Sequence, residues 1–475
     1  MLGEDQRRCS SGEDRISGLP DELLHDILVR LRSTRAAART SLLSRRWRHV
    51  WAHLPELVLN EGGPDAPPPP QRASFKKTVN AAIDACLAPT LERLSITLSP
   101  LVPARRVTKW LRFASQRVVG TLSLSLVSPH DNGEESEIEL PACTGAKSVN
   151  LDLPDQWRLR VPSSGLFTAL TSLSICYARM EGSELTALVC TQCPRLRTLS
   201  LFTPLVGTTD FTIRSDSLLS VWLCLDNTRR LEIVAPRLEE LCLSDAIEAR
   251  ISAPKLGKLA WDGDVYDPCR HHFVDVCRRL EQLDIGIGRT QSGVASLMQQ
   301  FDEVDELEMT IYILQGIAGY ESFLNETNNM PSCKTLSISL AWNDHGLTPA
   351  MLHLLKSCNS IRTLSVLLHG SYDNLESPCP SSCPCRFEES RRIDNVSLNS
   401  LQEIEITPDT SSHSDFEFIE HLSRCNAPVL KKLVINCSFP DDPPPTKETC
   451  EKIRNMCRPN IDVEFLVKGR VRLDW

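Results

Sequence analysis

The sequence lacks the long apolar runs of membrane-spanning proteins and the basic excess of nucleic-acid-binding proteins, and it has few aromatic residues. No stretch approaches the roughly 18 uninterrupted apolar residues that a membrane-spanning helix requires. Basic residues are not in excess, since 52 Lys and Arg stand against 61 Asp and Glu, so the net charge of −9 gives no electrostatic reason to bind nucleic acid. Aromatic residues are only 5% of the chain, so a core drawn from its 41% of hydrophobic residues must be aliphatic and mostly leucine.

Short catalytic motifs and a secretory signal are also missing. Neither G-x-S-x-G nor H-E-x-x-H occurs, so we predict no catalytic residues and a protein that is not an enzyme. Residues 1–15 hold no apolar segment, and the 19 cysteines are odd in number and scattered along the chain. We therefore expect free thiols and a reducing compartment, the cytoplasm or the nucleus.

Residues 15–54 have the apolar spacing of short helices. Pro20, followed by Asp21 and Glu22, marks the start of the first helix, and Ser33 or Thr34 can cap a second, Ala-rich one. The first apolar period consists of Leu23, Leu24, Ile27, Leu28 and Leu31. A later period consists of Leu43, Trp47, Val50, Trp51 and Leu54. A bundle of about 40 residues buries too little surface to cover all of these, so it is either an N-terminal cap on the rest of the chain or a docking module.

The same segment resembles an F-box of the plant type. The similarity rests on LPDELL at 19–24, IL at 27–28, RL at 30–31 and LSRRWR at 43–48. In that family the module docks on a Skp-type adaptor, which links it to a cullin ubiquitin ligase. The resemblance implies adaptor binding through Leu19, Pro20, Ile27, Leu28, Leu31, Leu43 and Trp47. Some of these must instead form the core of the bundle, and the sequence does not separate the two roles.

A Gly/Pro-rich segment, GGPDAPPPP at 62–70, interrupts all periodicity and indicates a boundary. The predicted organisation is an F-box at 11–57, a linker at 58–85, leucine-rich repeats at 86–390, and the last repeats with a C-terminal cap at 391–475.

The body of the chain repeats one short apolar pattern, L-x-x-L-x-L, thirteen times between Leu91 and Ile435. Most successive middle positions lie 18 to 28 residues apart, for example Leu241 to Leu259 and Leu336 to Leu364, which is typical of leucine-rich repeats with some irregularity. The alternating end of each motif predicts a strand, and the segment after it must return on the other side of the sheet. A β-sandwich, which the LSLSL segment at 122–126 would suit, is the rival interpretation; its strands would not repeat one motif so often.

Two kinds of return segment are predicted. Apolar residues spaced as in a helix occur at 185–189 and 294–301. The repeats between 213 and 261 are too short for a helix and should return by strand and turn. The C-terminal segment from Leu401 to Phe465 resembles the FBD-type ending of plant F-box repeat proteins, with helices at 417–425 and 447–456 sealing the solenoid. The predicted fold class is α/β: a helical F-box, an irregular leucine-rich-repeat solenoid with a curved, mostly parallel sheet, and an α+β cap.

Three local clusters are candidates for binding chemistry. Cys379, Cys383 and Cys385 have a spacing that could hold zinc, but the nearest histidine along the chain is His369, and a flexible Ser/Pro/Cys loop explains the segment better. Residues 286–293, GIGRTQSG, resemble a phosphate loop without its Gly-Lys-Ser/Thr ending, which favours a strand-to-helix turn. His271 and His272 suit a solvated turn. We therefore predict no metal and no cofactor.

The candidate target-binding surface is the column of residues between the last two apolar positions of each motif. It runs through Ser95, Asn150, Ser174, Ser200, Trp222, Cys242, Ala260, Asp284, Glu308, Ser337, Ser365 and Glu405, with Glu240, Lys258, Gln282, Glu306 and Glu403 flanking it. We predict that Trp222, Glu240, Asp284, Glu306 and Glu308 bind the target, because exposed aromatic residues often dominate interfaces. Plant hormone receptors of this superfamily would need basic residues here to hold an inositol phosphate. The acidic centre instead predicts a basic or polar target, although a solvated acidic face that binds nothing is the simpler interpretation.

The resemblance implies a substrate-recognition subunit of a Skp-cullin-F-box ubiquitin ligase. The expected partners are a Skp-type adaptor, through it a cullin, and a target protein on the repeats, with no nucleic acid and no membrane. A repeat scaffold that works outside ubiquitin ligation is the structural alternative, and a hydrolase or nucleotide-dependent switch is the enzymatic one.

Overall fold

The computed structural model describes residues 18–31, 33–42, 45–61, 72–98, 102–126, 135–262, 266–288, 293–314, 316–342, 345, 347–358, 360–369, 380–391, 396–408, 418, 422, 425–437, 447–467 and 471–472. Its α-helices are α1 (Asp21–Arg30), α2 (Thr34–Arg39), α3 (Arg45–Val50), α4 (Arg72–Ala85), α5 (Ala104–Arg117), α6 (Gly182–Ala187), α7 (Val294–Met298), α8 (Gly316–Thr327), α9 (Leu347–Ser357), α10 (Glu388–Arg391) and α11 (Lys447–Met456). In this part of the chain no helix has the length and apolar character needed to cross a membrane.

The strands are β1 (Glu56–Asn60), β2 (Leu91–Thr97), β3 (Val118–Ser125), β4 (Ser136–Glu139), β5 (Ser148–Asp152), β6 (Trp157–Arg160), β7 (Ser172–Cys176), β8 (Met180–Glu181), β9 (Thr198–Phe202), β10 (Leu205–Val206), β11 (Asp210–Arg214), β12 (Ser220–Val234), β13 (Glu240–Ala253), β14 (Lys258–Trp261), β15 (His271–Val276), β16 (Arg279–Ile287), β17 (Glu303–Ile313), β18 (Ser332–Trp342), β19 (Thr363–His369), β20 (Glu403–Thr407), β21 (Lys432–Cys437), β22 (Asp462–Val467) and β23 (Val471–Arg472). The chain divides into two compact units. The first comprises Met1–Met180 and Thr191–Leu196, and the second Glu181–Cys190 and Arg197–Trp475.

The first unit begins with the predicted helical bundle, α1 to α3. Pro20 directly precedes α1, and Ser33 caps α2 by accepting a hydrogen bond from the Ala36 N–H at 3.2 Å. The bundle has its own apolar cluster, made of Leu24, Leu28, Ala37, Trp47, Val50 and Leu54. The Val58 N–H donates to Thr34 Oγ1 at 2.7 Å, which ties the bundle to the first strand of the repeats.

The repeats of the first unit form a parallel ladder in the order β1, β2, β3, β5 and β7. Their shared apolar position is buried in every strand: Leu57, Leu94, Leu122, Val149 and Leu173. The LSLSL segment lies on β3 within this ladder. It is therefore one more repeat and not part of a sandwich.

The predicted linker at 58–85 is wrong over most of its described part. Residues 58–60 complete β1, and Arg72–Ala85 form α4, whose Asn80 accepts a 2.8 Å hydrogen bond from the indole of Trp110 on α5. The Gly/Pro-rich run that suggested the linker falls at 62–70, outside the described residues. The predicted linker extends too far along the chain, because it includes α4, whose Val79 is fully buried.

The second unit carries the longer parallel ladder, in the order β9, β12, β13, β14, β16, β17, β18, β19, β20, β21 and β22, with β23 antiparallel at its edge. The middle apolar residue of each motif stacks on its equivalent in the next strand, for example Leu283 on Leu307 and Leu307 on Leu336. Such stacking buries the apolar face continuously, as in a solenoid. The predicted α/β fold class is confirmed.

The segments that connect successive ladder strands in the second unit are of the two predicted kinds, helical ones and strand-and-turn ones. Between 210 and 276 the short repeats return through parallel pairing of β11, the later half of β12, the later half of β13, and β15. The longer repeats return through α7, α8 and α9, and α11 precedes β22 at the C-terminal end as predicted. Of the other predicted C-terminal helix, at 417–425, only Phe418, Leu422 and Cys425 are among the described residues.

The prediction of a flexible loop is wrong for residues 380–391. This segment forms a 3-10 turn at Pro384–Arg386 followed by α10, and it packs against α8 and α9. Cys383 and Cys385 are buried within it, while Cys379 lies outside the described residues.

Candidate functional site

Helix α1 carries two adjacent apolar stripes that differ in exposure. Leu24 and Leu28 point into the bundle and are at most 2% exposed. Leu23, Ile27 and Leu31 form a second stripe at four-residue spacing, and they are 47%, 43% and 43% exposed. An apolar row of this kind on a small module is a candidate docking face.

The structure separates core from surface among the predicted adaptor-binding residues. Leu28 and Trp47 belong to the core of the bundle, and Leu19 is half-buried and packs against that core. Pro20, Ile27 and Leu31 are exposed. Leu43 lies outside the described residues.

Polar contacts fix the start of α1 against α3. The Arg46 guanidinium donates to Asp21 Oδ1 through Nε at 2.9 Å and also to the Leu19 carbonyl oxygen. The His25 ring donates from Nε2 to the Val50 carbonyl oxygen at 3.0 Å. These contacts hold the exposed stripe in a defined position on the module.

The predicted adaptor-binding set omits two exposed leucines on this module. Leu23 extends the stripe by one turn, and Leu42, at 84% exposed, follows α2. The spacing of Leu23 four residues before Ile27 was a usable signal. No comparable signal marked Leu42, because its exposure depends on how the turn at 40–42 leaves α2.

The predicted target column exists in register within each unit. In the second unit Trp222 lies opposite Cys242, then Ala260, Asp284 and Glu308 follow on successive strands. The flanking positions pair in the same way two residues earlier, from Glu240 through Lys258 and Gln282 to Glu306. Two residues is one full strand period, so these side chains share the face of the column.

The centre of this column is acidic and partly shielded from water. Asp284 is half-buried beside Glu308, and burial first, then the charges of Glu308 and Asp262, raise the pKa of its carboxyl to about 6. The Gln282 amide donates to Glu308 Oε2 at 2.9 Å. A cationic group placed here would gain the attraction of several carboxylates at once.

Carboxylates near the start of the same strands are neutralised instead. Asp305 lies 3.2 Å from Arg279, and Lys334 bonds the same carboxylate. The hydrogen bond from Lys334 is the main reason that the pKa of Asp305 is lowered. Among the described residues, Asp305 is thus paired with basic groups, whereas the charged neighbours that shift the pKa of Asp284 are acidic.

Trp222 is 41% exposed on β12, and two strands, β13 and β14, separate it from Asp284 in the ladder. Its register partner Cys242 is half-buried, and burial followed by the Asp262 and Asp284 carboxylates raises the pKa of that thiol to about 11. Cys242 is therefore neutral at physiological pH. The predicted residues Trp222, Glu240, Asp284, Glu306 and Glu308 thus lie together on one face of the second unit.

Two other sequence candidates have structural roles. Gly288 follows β16 with φ +106°, and Gly293 precedes α7, which agrees with the predicted strand-to-helix turn. His271 is buried and not solvated as predicted: its Nδ1 accepts from the Asp267 N–H, and its Nε2 donates to the Ala246 carbonyl, both at 2.9 Å. It packs against Trp261 and Tyr266, whose rings shield it from water.

Comparison with known proteins agrees with both parts of the architecture. Residues 16–59 match the F-box domain, and residues 107–261 match the LRR repeats of the FBD-associated F-box protein At5g56370. The predicted resemblance to plant F-box/leucine-rich-repeat proteins is confirmed.

Individual relatives come from Arabidopsis thaliana. The chain is 32% identical to F-box/LRR-repeat protein At3g03360 over 203 residues, which cover 40% of this chain and 38% of the relative. It is 29% identical to the putative FBD-associated F-box protein At1g05080 over 246 residues, 49% of this chain and 54% of the relative. F-box protein At5g03100 is 33% identical over 124 residues, 26% of this chain and 36% of the relative. The chain therefore matches about a third to a half of each relative's length.

Proposed function

We propose that this protein is the substrate-recognition subunit of a Skp-cullin-F-box ubiquitin ligase in the cytoplasm or nucleus. The observation that carries the proposal is the exposed stripe of Leu23, Ile27 and Leu31 on a module whose sequence matches an F-box. The module keeps a separate core, so this stripe is available for a partner.

The proposed contribution to ubiquitination is proximity and not chemistry. The adaptor holds the F-box near the ubiquitin-charged enzyme, and the repeats hold the target. A tethered target meets that enzyme at a high effective concentration, so ubiquitin transfer becomes effectively intramolecular. The acidic column around Asp284 and Glu308, together with Trp222 on the same face, is the proposed target surface.

The docking test uses Ile27→Asp with Leu31→Lys in the full chain. Charges placed in an apolar interface cost several kcal/mol when they stay unpaired, so capture on an immobilised Skp-type adaptor should be lost. The matched control is Ile247→Asp with Val274→Lys, which charges two equally exposed apolar residues elsewhere. Full adaptor binding by the Ile27/Leu31 variant contradicts the proposed docking face.

Purification with the Skp-type adaptor also distinguishes a ligase subunit from a scaffold that works outside ubiquitin ligation. Recruitment of a cullin together with the adaptor supports the ligase, whereas adaptor binding without any cullin supports the scaffold. Turnover of a nucleotide by the purified chain would contradict both and indicate an enzyme.

A further inference from the structure

His345, Cys383 and Cys385 bring their side chains together in the second unit. His345 Nδ1 lies 3.4 Å from Cys385 Sγ and 3.7 Å from Cys383 Sγ. The three potential ligand atoms all lie within 4.8 Å of one another. Each of the residues is at most 2% exposed, so the cluster is shielded from bulk water.

The two cysteines are presented by a tight turn. Cys383 directly precedes the 3-10 turn at Pro384–Arg386, and Cys385 lies within it. The Cys383 N–H donates to the Pro380 carbonyl oxygen, and the Arg386 N–H donates to the Cys383 carbonyl oxygen, both at 2.9 Å. The backbone is therefore fixed on both sides of Cys383, which defines where the two sulfur atoms lie.

The histidine is oriented by a backbone carbonyl. His345 Nε2 lies 2.9 Å from the Leu314 carbonyl oxygen, and since a carbonyl can only accept, Nε2 must carry the proton. The neutral ring then presents the lone pair of Nδ1 to the two sulfurs. Metal-ligating histidines commonly have this arrangement, with the second ring nitrogen held by a carbonyl or carboxylate.

We propose that Cys383, Cys385 and His345 form a structural zinc site. In a tetrahedral site with Zn–S of about 2.3 Å and Zn–N of about 2.0 Å, a sulfur and a nitrogen ligand are separated by about 3.5 Å. The two observed separations, 3.4 and 3.7 Å, bracket that value. Two thiols and an imidazole suit zinc better than magnesium or calcium, which prefer oxygen ligands.

Hydrogen bonding without a metal ion would engage only part of this cluster at any one time. The single lone pair of Nδ1 can accept a proton from one thiol at a time, whereas a metal ion engages both sulfurs and the nitrogen together. On binding, both thiols lose their protons to solvent and coordinate as thiolates, and the neutral imidazole coordinates without losing a proton. The fourth position of the zinc is then open to a further donor.

Zinc at this position would connect three successive repeats. Leu314 follows β17, His345 follows β18, and the cysteines belong to the long segment between β19 and β20. Tyr320 on α8 packs its ring 5.0 Å from the His345 ring. The ion would hold the 380–391 segment against α8 and α9. It would thereby anchor the middle of the long segment between Leu364 and Ile404.

The test measures zinc in the full chain by plasma mass spectrometry after dialysis against zinc-free buffer. We expect one zinc ion per chain, with at least about a tenfold lower affinity in Cys383→Ser and in Cys385→Ser. Cobalt substitution should give thiolate-to-cobalt charge-transfer absorption, which both variants lose. The matched control is Cys143→Ser, a fully buried cysteine whose thiol donates to the Pro141 carbonyl oxygen at 3.3 Å, and it should retain the ion.

A second measurement needs no variant and so does not depend on variant folding. Alkylation of the unmodified chain, mapped by peptide mass spectrometry, should label Cys383 and Cys385 much faster after a zinc chelator is added, with Cys143 unchanged. Absence of zinc and of the cobalt band in the folded chain overturns the proposal. Chelator-independent labelling, or equal zinc loss from Cys143→Ser, overturns it as well.

Discussion

Asp284 on β16 and Glu308 on β17 lie directly opposite each other in the parallel register of the second unit. Like charges in this relationship destabilise a sheet, and burial adds to the cost of ionising Asp284. The pKa of the Asp284 carboxyl is therefore raised to about 6 from an ordinary value of 3.8. A folded-state pKa above the unfolded one means that ionised Asp284 opposes folding at neutral pH, and that this cost disappears as the pH falls from about 6 to about 4.

Asp284→Asn is therefore expected to stabilise the protein at pH 7.5. The full shift would correspond to about 3 kcal/mol, and partial exposure to solvent reduces the expected gain to about 1 kcal/mol. Urea unfolding of both proteins at pH 7.5 and pH 4 checks this, since the gain should vanish at the lower pH. Asp305→Asn is the control, because its carboxyl is stabilised by Lys334 and should give no gain.

Target binding should depend on the acidic column. Reversal of Asp284, Glu306 and Glu308 to Lys is expected to weaken retention of a basic target by at least about tenfold, because both attraction and steering change sign. Trp222→Ala, made separately, should cost about 1 to 3 kcal/mol if the indole is an anchor. Quantitative pull-down of co-purified target measures both effects.

The control for that experiment reverses three exposed acidic residues elsewhere in the second unit, Asp275, Glu321 and Glu448. It changes net charge equally and should leave retention unchanged. If neither column variant weakens retention while deletion of the repeats abolishes it, the target binds the loops or the opposite face, and the column assignment is wrong.

Leu28 and Ile27 should respond differently to the same truncation. Leu28→Ala removes buried methyl groups from the bundle and should cost about 2 to 5 kcal/mol of module stability. Ile27→Ala removes exposed surface and should cost about 0.5 kcal/mol or less, yet weaken adaptor binding. Hydrogen exchange over residues 21–54 and adaptor titration separate the two effects. Equal destabilisation by both variants would contradict the division into two stripes.

His271 should make the second unit sensitive to mild acid. Burial lowers the pKa of its ring below 6.5, so the unfolded chain takes up the proton first as the pH falls. The free energy of unfolding should therefore decline as the pH drops through about 6.5. His271→Gln should remove this part of the pH dependence in denaturation measured from pH 7.5 to 5, and His272→Gln, at the exposed neighbour, should leave it in place.

Gly288 should not tolerate a side chain. Its φ of +106° is unfavourable for other residues, and a Cβ would lie 1.7 Å from the Tyr312 carbonyl oxygen. Gly288→Ala must therefore move β16 away from β17 and should destabilise the unit by more than about 2 kcal/mol. Gly286→Ala is the control, since nothing lies within 4 Å of its Cβ position. Equal melting temperatures for the two variants would disprove this account of the turn.

The spacing of apolar residues by itself determined the repeat architecture. Every one of the thirteen predicted motifs lies on a parallel strand, because alternation along a strand decides which side chains are buried. Three further strands of the ladders, β1, β3 and β22, fall outside the thirteen motifs: Leu57 closely follows the F-box motif, LSLSL also suits a sandwich strand, and Phe465 belongs to the segment predicted as the cap. The acidic character of the target column could likewise be read from single positions.

Only the tertiary structure decided which residues meet. Leu28 and Ile27 are neighbours with the same apolar character, and the packing of α1 against α2, α3 and Leu54 makes the first core and the second surface. The pKa of Asp284 depends on Glu308, which is 24 residues away and opposite it only in this register. His345 stands 40 residues before Cys385, and their contact depends on how the 380–391 segment folds back on α8 and α9. Local sequence determines periodicity, whereas proximity between distant repeats arises from the packing of the whole chain.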